Sequence, residues 1–161
     1  MRILTFRTAS IVLFALGLAL TQAQPSAAQS HRGRCTLKVL ELWFGEYDAF
    51  ETTPTRATTR VQVDCQGVTS KIRPTIELSA GSSQNFARRT QVSGGNTLTY
   101  NIYTDAGLTQ IAGDGSSGTT PLILNDDESG GAEVTLYGAI DPRQFAAPGV
   151  YFDTVYVTLI F

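Results

Sequence analysis

The C-terminal segment constrains the fold more than any other part of the chain, because it alternates between two faces. Val155, Val157, Leu159 and Phe161 share one face, and the residues between them share the other. A repeat of two residues is the period of a β-strand and not of a helix. We therefore expect a strand that closes the chain, with one flank unpaired unless an earlier segment or another molecule covers it.

The N-terminal segment has the order of a secretory signal peptide. Arg2 and Arg7 precede an apolar run over residues 9–20, and small residues follow this run. This run is shorter than the roughly 20 residues that a helix needs to cross a bilayer. We predict a signal peptide over residues 1–28, cleaved after Ala23 or Ala28, a polar leader over residues 29–34 and one domain over residues 35–161.

The chain that remains after signal removal is acidic. Because Arg2 and Arg7 lie in the signal, it keeps 10 of the 12 Lys and Arg residues and all 14 Asp and Glu residues. An acidic balance disfavours nucleic acid, whose phosphates are bound by basic side chains. We expect an exported protein with no nucleic-acid partner and no membrane span after signal removal.

Cys35 and Cys65 are the only cysteines. An even number of cysteines in a secreted chain favours a structural disulfide, which would stabilise the fold by roughly 3 to 4 kcal/mol. A metal site or a catalytic thiol would need further ligands or a base, and the one histidine, His31, lies in the polar leader. We predict a Cys35–Cys65 disulfide.

Strand-like alternation recurs along the rest of the chain, separated by Gly-rich turns. Short strands at regular spacing without a helical pattern predict an all-β sandwich. Pro74 has no N–H to donate to a ladder, so we expect its strand to lie at a sheet edge or to contain a bulge there. The predicted strands before the terminal one cover residues 35–42, 58–65, 71–80, 97–104 and 131–140, with short extended pieces at residues 87–92 and 119–124.

Aromatic residues cluster after the first strand. Trp43, Phe44 and Tyr47 fit either a cluster that caps the core or a surface platform for a sugar ring, and the core is favoured because aromatic side chains dominate cores. If exposed, Trp43, Tyr47 and Phe50 are candidate surface-binding residues.

The charged motifs give no strong sign of chemistry. Arg88 and Arg89 form an isolated pair on a predicted loop, which favours solvated surface over a site for an anion. Residues 125–128 are rich in acids but lack the ordered spacing of a calcium loop. Because the chain has a single histidine, it offers no triad of a nucleophile, a base and an acid. We predict no catalytic residue, no cofactor and no metal.

Six motifs, in sequence order and together with the two cysteines, resemble the spore coat protein U domain family. The resemblance covers residues 35–161. The motifs are FGEY (44–47), VQVDC (61–65), YNIYTD (100–105), GDG (113–115), YGAI (137–140) and GVYFDTVYVT (149–158).

This resemblance implies an immunoglobulin-like antiparallel β-sandwich that lacks its final strand, in a subunit of archaic chaperone-usher pili or of a related surface or spore coat. Its implied partners are a periplasmic chaperone, an outer-membrane usher and neighbouring subunits. The protein would pass through the periplasm to the cell surface. A donated strand would fill a groove beside the C-terminal strand. The implied acceptor residues are Val155, Val157, Leu159 and Phe161.

The leader departs from the pattern of this family. A subunit that donates a strand needs an arm with alternating large apolar side chains, and residues 24–34 contain none. We expect a chain that receives a strand, either as a non-enzymatic structural subunit or, alternatively, as a tip or surface adhesin module that binds a glycan or an abiotic surface through aromatic loop residues.

Overall fold

A computed structural model describes residues 34–66, 74–124 and 131–160 of the chain. The predicted signal peptide, the leader before Arg34, the acidic stretch at residues 125–128 and Phe161 lie outside the described residues.

The described residues form strands of very different length, joined by turns and by one short 3₁₀-helix at Gly81–Ser83. The strands are β1 (Arg34–Val39), β2 (Thr55–Gln66), β3 (Thr75–Leu78), β4 (Arg89–Ser93), β5 (Asn96–Tyr103), β6 (Leu122–Ile123), β7 (Gly131–Ile140) and β8 (Val157–Ile160).

These strands make two antiparallel sheets. One has five strands in the order β1-β2-β7-β5-β4, and the other has three in the order β6-β3-β8. The prediction of an all-β, antiparallel fold is confirmed. The bounds of β7 match the prediction, whereas β8 begins later than the alternation that starts at Val155.

The core lies between the two sheets and follows the alternation of each strand. In β2, Val61 and Val63 are buried while Gln62 between them is exposed, as a half-buried strand requires. Ile76 and Leu78 of β3 belong to the same buried cluster, so the two sheets share one core and form a sandwich.

The predicted disulfide is confirmed. Cys35 and Cys65 face each other in the β1–β2 register, their Cα atoms are 4.0 Å apart, and their sulfur atoms are bonded. The bond therefore ties the start of the edge strand β1 to the end of β2.

The expectation that Pro74 lies in an edge strand or at a bulge within its strand is wrong. Strand β3 is the central strand of its sheet, between β6 and β8. Pro74 directly precedes β3, so its missing N–H removes no ladder bond within the strand, and its carbonyl oxygen accepts a hydrogen bond from Leu124 N at 2.9 Å.

Candidate functional site

Strand β8 lies at an edge of the three-stranded sheet and pairs with β3. Val157 and Leu159 are half-buried and pack against the core, as does Val155 just before the strand. Thr158 and Ile160 point to the exposed face. Three of the four residues that were predicted to share an inward face therefore lie on one side, and the fourth, Phe161, is outside the described residues.

The segment that leads into β8 contacts both sheets. Phe152 exchanges two backbone hydrogen bonds with Val92 of β4, of 2.9 and 3.2 Å. Four residues later, Tyr156 accepts a hydrogen bond from Ser79 N and donates one to Ser79 Oγ, both of 2.9 Å. Residues 152–160 thus cross from the edge of the five-stranded sheet to the edge of the three-stranded sheet.

Asp153 fixes the middle of this segment. Its carboxylate accepts hydrogen bonds from the Tyr100 hydroxyl at 2.8 Å and from Ser82 N and Ser82 Oγ at 2.9 and 2.6 Å. Gly81 has a φ of +70°, and a Cβ at this position would overlap the Asp153 carboxylate. Burial, followed by the hydrogen bond to Asp153, raises the pKa of Tyr100, so the hydroxyl remains a donor.

The chain after β1 forms a second wall. The Leu40 backbone donates to Arg60 O at 3.1 Å and accepts from Thr59 Oγ1 at 2.6 Å, so this segment continues along β2 beyond the last residue of β1. The Phe44 ring meets Tyr100 edge-on, with ring centroids 5.8 Å apart. Gly138 of β7 allows this packing, because a Cβ there would clash with Phe44.

A groove of about 1020 Å³ lies between these two walls. Residues 39–47 and Ala49 line one wall, and residues 146–155 and Val157 line the other, so Val155 and Val157 both line the groove. Leu159 packs on the core but does not line the groove. Core side chains from both sheets form the floor: Leu78, Leu98, Tyr100, Ile102, Leu136 and Ile140. Such a long apolar groove beside an edge strand is suited to binding an extended segment by strand addition.

A family model describes almost the whole of this sandwich. The model of the Spore Coat Protein U domain matches residues 20–158. The chain belongs to the Spore Coat Protein U domain family. No curated protein matches the chain significantly.

A solved structure with a similar fold is the crystal structure of the CsuC-CsuE chaperone-tip adhesion subunit pre-assembly complex from archaic chaperone-usher Csu pili of Acinetobacter baumannii. The TM-score is 0.59 at 20% sequence identity, and the match covers 80% of this chain and 40% of that one. The likeness supports the fold of this Spore Coat Protein U domain, which spans less than half of the matched chain.

The predicted surface aromatics of this Spore Coat Protein U domain fall in three different settings. Trp43 is 73% exposed and lines the groove, and Phe50 is 89% exposed and lies outside it. Tyr47 is half-buried, and its hydroxyl donates to Asp141 O at 3.1 Å and accepts from Gln144 N at 2.7 Å. The Tyr47 side chain therefore anchors the loop that contains Asp141 and Gln144. Phe145 of that loop, which the sequence analysis did not single out, is fully exposed.

The interpretation of Arg88 and Arg89 as solvated surface is right for Arg88 and wrong for Arg89. Arg88 is exposed, whereas Arg89 is 0% exposed. The Arg89 guanidinium donates to Ser79 O, to Ala112 O at 2.7 Å and to Asn101 Oδ1 at 2.6 Å. Burial lowers the pKa of Arg89. Three oxygen acceptors therefore bind the Arg89 guanidinium. We call Arg89 a structural clamp, because its hydrogen bonds hold the end of β3 against β5.

In residues 34–66, 74–124 and 131–160, no group of three or more His, Cys, Asp or Glu side chains is placed to hold a metal ion. No helix in these same ranges is long and apolar enough to cross a membrane.

Proposed function

We propose that this protein is a secreted, non-enzymatic structural subunit of a bacterial surface appendage or coat, assembled by donor-strand complementation beside its C-terminal strand. A partner's extended segment enters the groove between residues 39–49 and 146–157 and pairs with β8. Before assembly a periplasmic chaperone occupies the groove. An outer-membrane usher and neighbouring subunits then complete the assembly at the cell surface.

One observation carries this proposal: the groove has the core of the sandwich as its floor. Leu78, Leu98 and Ile140 are almost fully buried, yet they line a groove that lies beside the edge strand β8. Because the core itself forms this floor, apolar side chains bound in the groove would extend the core of the sandwich. An extended segment with apolar side chains at alternate positions matches such a floor.

The energetics support the need for a partner. Val155, Val157 and Leu159 are only half-buried, and full burial of such a side chain stabilises by roughly 1.5 to 3 kcal/mol. Completing the burial of three side chains is therefore worth a few kcal/mol, a large part of the about 5 to 15 kcal/mol that stabilises a typical domain. The free subunit is expected to be marginally stable, and its exposed edge is a template for aggregation.

Family membership and the similar solved structure support the partners. The matched complex pairs a chaperone with a tip adhesion subunit of an archaic chaperone-usher pilus. A chaperone that fills the groove of this chain in the periplasm would protect the same edge until assembly.

Periplasmic expression with and without a chaperone-usher chaperone from the same genome tests the proposal. Soluble protein is expected mainly in the co-expressing cells, where the two proteins should purify together. Equal yields of soluble, folded monomer with and without the chaperone would count against an open acceptor groove.

An adhesin module is the second candidate function, and the exposure of Phe50 and Phe145 favours it. Phe50 is 89% exposed and Phe145 is fully exposed. Tyr47, from the connection that carries Phe50, bonds through its hydroxyl to Asp141 O and Gln144 N in the loop that carries Phe145. The double variant Phe50→Ser and Phe145→Ser should weaken adhesion of cells that display the protein to glycan or plastic surfaces. Unchanged adhesion at equal display would exclude this function for the two residues.

A further inference from the structure

The groove carries charge of one sign. Its charged lining residues are Glu41, Glu46 and Asp153, and no Lys or Arg of the described chain lines it. The carboxylate of Asp153 is already engaged by Tyr100 and Ser82. Glu41 and Glu46 are exposed, and neither side chain has a hydrogen-bond or ion-pair partner among the described residues. Two unpaired carboxylates therefore stand on one wall of an apolar groove.

An exposed indole lies between these two carboxylates in the sequence, and all three side chains line the groove. Leu42 and Phe44 turn inward to pack on the core, which leaves Glu41 and Trp43 on the outward side of the same segment. Trp43 is one of the most exposed apolar side chains that line the groove. We call Glu41, Trp43 and Glu46 the acidic rim.

Two carboxylates beside an indole suit a long basic side chain. A guanidinium pairs with carboxylates through its planar fork of donors and also stacks on an aromatic face. The aliphatic stem of Arg or Lys packs on apolar surface while its charge stays at the solvent. An acidic side chain at the same place would meet charge of its own sign.

The geometry points to a partner strand with two distinct faces, and we propose that its outward side chains at the acidic rim are Arg or Lys. Successive side chains of a strand point to opposite faces, so the inward set fills the groove with apolar groups while the outward set meets Glu41, Trp43 and Glu46. This inference rests on the proposed strand-acceptor function and adds the chemical class of the occupant: an extended basic and apolar segment of a partner protein.

Three synthetic peptides test this inference. All three carry the same large apolar residues at alternate positions, and the residues between them are Arg in one, Gln in the second and Glu in the third. Binding to the exported, disulfide-bonded chain is measured by titration, with Trp43 fluorescence as a local probe. We expect the Arg peptide to bind roughly three- to tenfold more tightly than the Gln peptide at low salt. The Glu peptide should bind more weakly than both. The differences in affinity among the three peptides should shrink as salt is added.

Variants of the acidic rim test whether its side chains cause the preference for the Arg peptide. Glu41→Gln with Glu46→Gln should remove the advantage of the Arg peptide and leave the affinity of the Gln peptide unchanged. Glu51→Gln is the control, since Glu51 is an exposed acid of the next loop that does not line the groove. Trp43→Ala, which keeps both carboxylates, should reduce the advantage of the Arg peptide in part.

The outcomes separate this inference from the proposed function. If all three peptides bind with equal affinity, the groove accepts strands but the rim does not select them, and the inference is overturned alone. If none of the peptides binds, strand acceptance fails and the inference fails with it. An Arg preference that persists in the double Glu variant would also overturn the assignment to the rim.

Discussion

The hydroxyl of Tyr100 donates a 2.8 Å hydrogen bond to Asp153, which ties the core of β5 to the segment that leads into β8. The same carboxylate accepts from the backbone and side chain of Ser82. The Asp153 side chain thus positions a wall of the groove relative to both its floor and a neighbouring turn.

Asp153→Ala is expected to destabilise the fold by roughly 2 to 3 kcal/mol, because hydrogen bonds to a charged acceptor are lost and the buried Tyr100 hydroxyl is left without its partner. Tyr100→Phe removes one of these bonds and keeps the ring, so it should cost about 1 kcal/mol. Urea unfolding followed by circular dichroism measures both. Equal losses for the two variants would mean that the bonds from Ser82 to Asp153 contribute nothing.

Arg89→Ala is expected to destabilise by roughly 3 to 5 kcal/mol or to prevent folding. The substitution leaves Ser79 O and Ala112 O buried without this donor, and Asn101 Oδ1 loses one of its two donors and keeps Ile102 N. Arg89→Lys should be only a partial rescue, because one ammonium cannot reproduce the planar donor fork. The neighbouring Arg88→Ala is the control, and since Arg88 is exposed its effect should stay within about 0.5 kcal/mol. A similar loss at both positions would contradict the clamp.

Removing the Cys35–Cys65 disulfide is expected to cost roughly 3 to 4 kcal/mol, the chain-entropy value for a loop of this length. The bond closes a loop with a sequence separation of 30 and fastens β1, an edge strand with β2 as its neighbour in the sheet. The double variant Cys35→Ala and Cys65→Ala should unfold at lower urea than the oxidised protein. If reduction leaves the urea midpoint of the wild type unchanged, β1 is held by its other contacts alone.

The Asp105 turn is expected to make stability depend on pH. Hydrogen bonds, first from Gln110 N and then from Thr109, lower the pKa of Asp105 from its ordinary 3.8. A carboxylate with a depressed folded pKa stabilises the fold above its unfolded pKa, and this contribution is lost as the pH falls through the folded pKa. Asp105→Asn should therefore lower the melting temperature at neutral pH and flatten its decline below pH 3.8.

Alternation in the sequence was sufficient to predict the fold class, and the even number of cysteines behind a predicted signal peptide was sufficient to predict the disulfide. Cys35 and Cys65 face each other because β1 and β2 are adjacent in the sheet. Val61 and Val63 of β2 are buried, as the alternation predicts. The burial of Arg89 could not be predicted in this way. Its acceptors lie on Ser79, Asn101 and Ala112, and only the packed sandwich brings these together.

The site was predictable in part for the same reason. Val155, Val157 and Leu159 were singled out by their period, and the structure places all three on the core side of the terminal segment. The opposite wall at residues 39–49 was not predicted, since it has no regular strand after Val39 and is positioned by contacts such as Phe44 with Tyr100. Gly138 admits Phe44 because it has no side chain, and this signal is recognisable only once the strands are paired.

The alternation of β8 gives a direct test of strand acceptance. Val157→Asp and Leu159→Asp place a carboxylate on the core side of the strand, whereas Thr158→Asp places it on the exposed side. A buried, unpaired carboxylate costs well over the about 1.4 kcal/mol that corresponds to a tenfold change in affinity. Capture by the co-expressed chaperone, measured by co-purification from the periplasm, should fall at least tenfold for Val157→Asp and Leu159→Asp and remain for Thr158→Asp. Val157→Ala, which only shortens the side chain, should show an intermediate loss, and equal losses at positions 157, 158 and 159 would show that the inward face of β8 is assigned incorrectly.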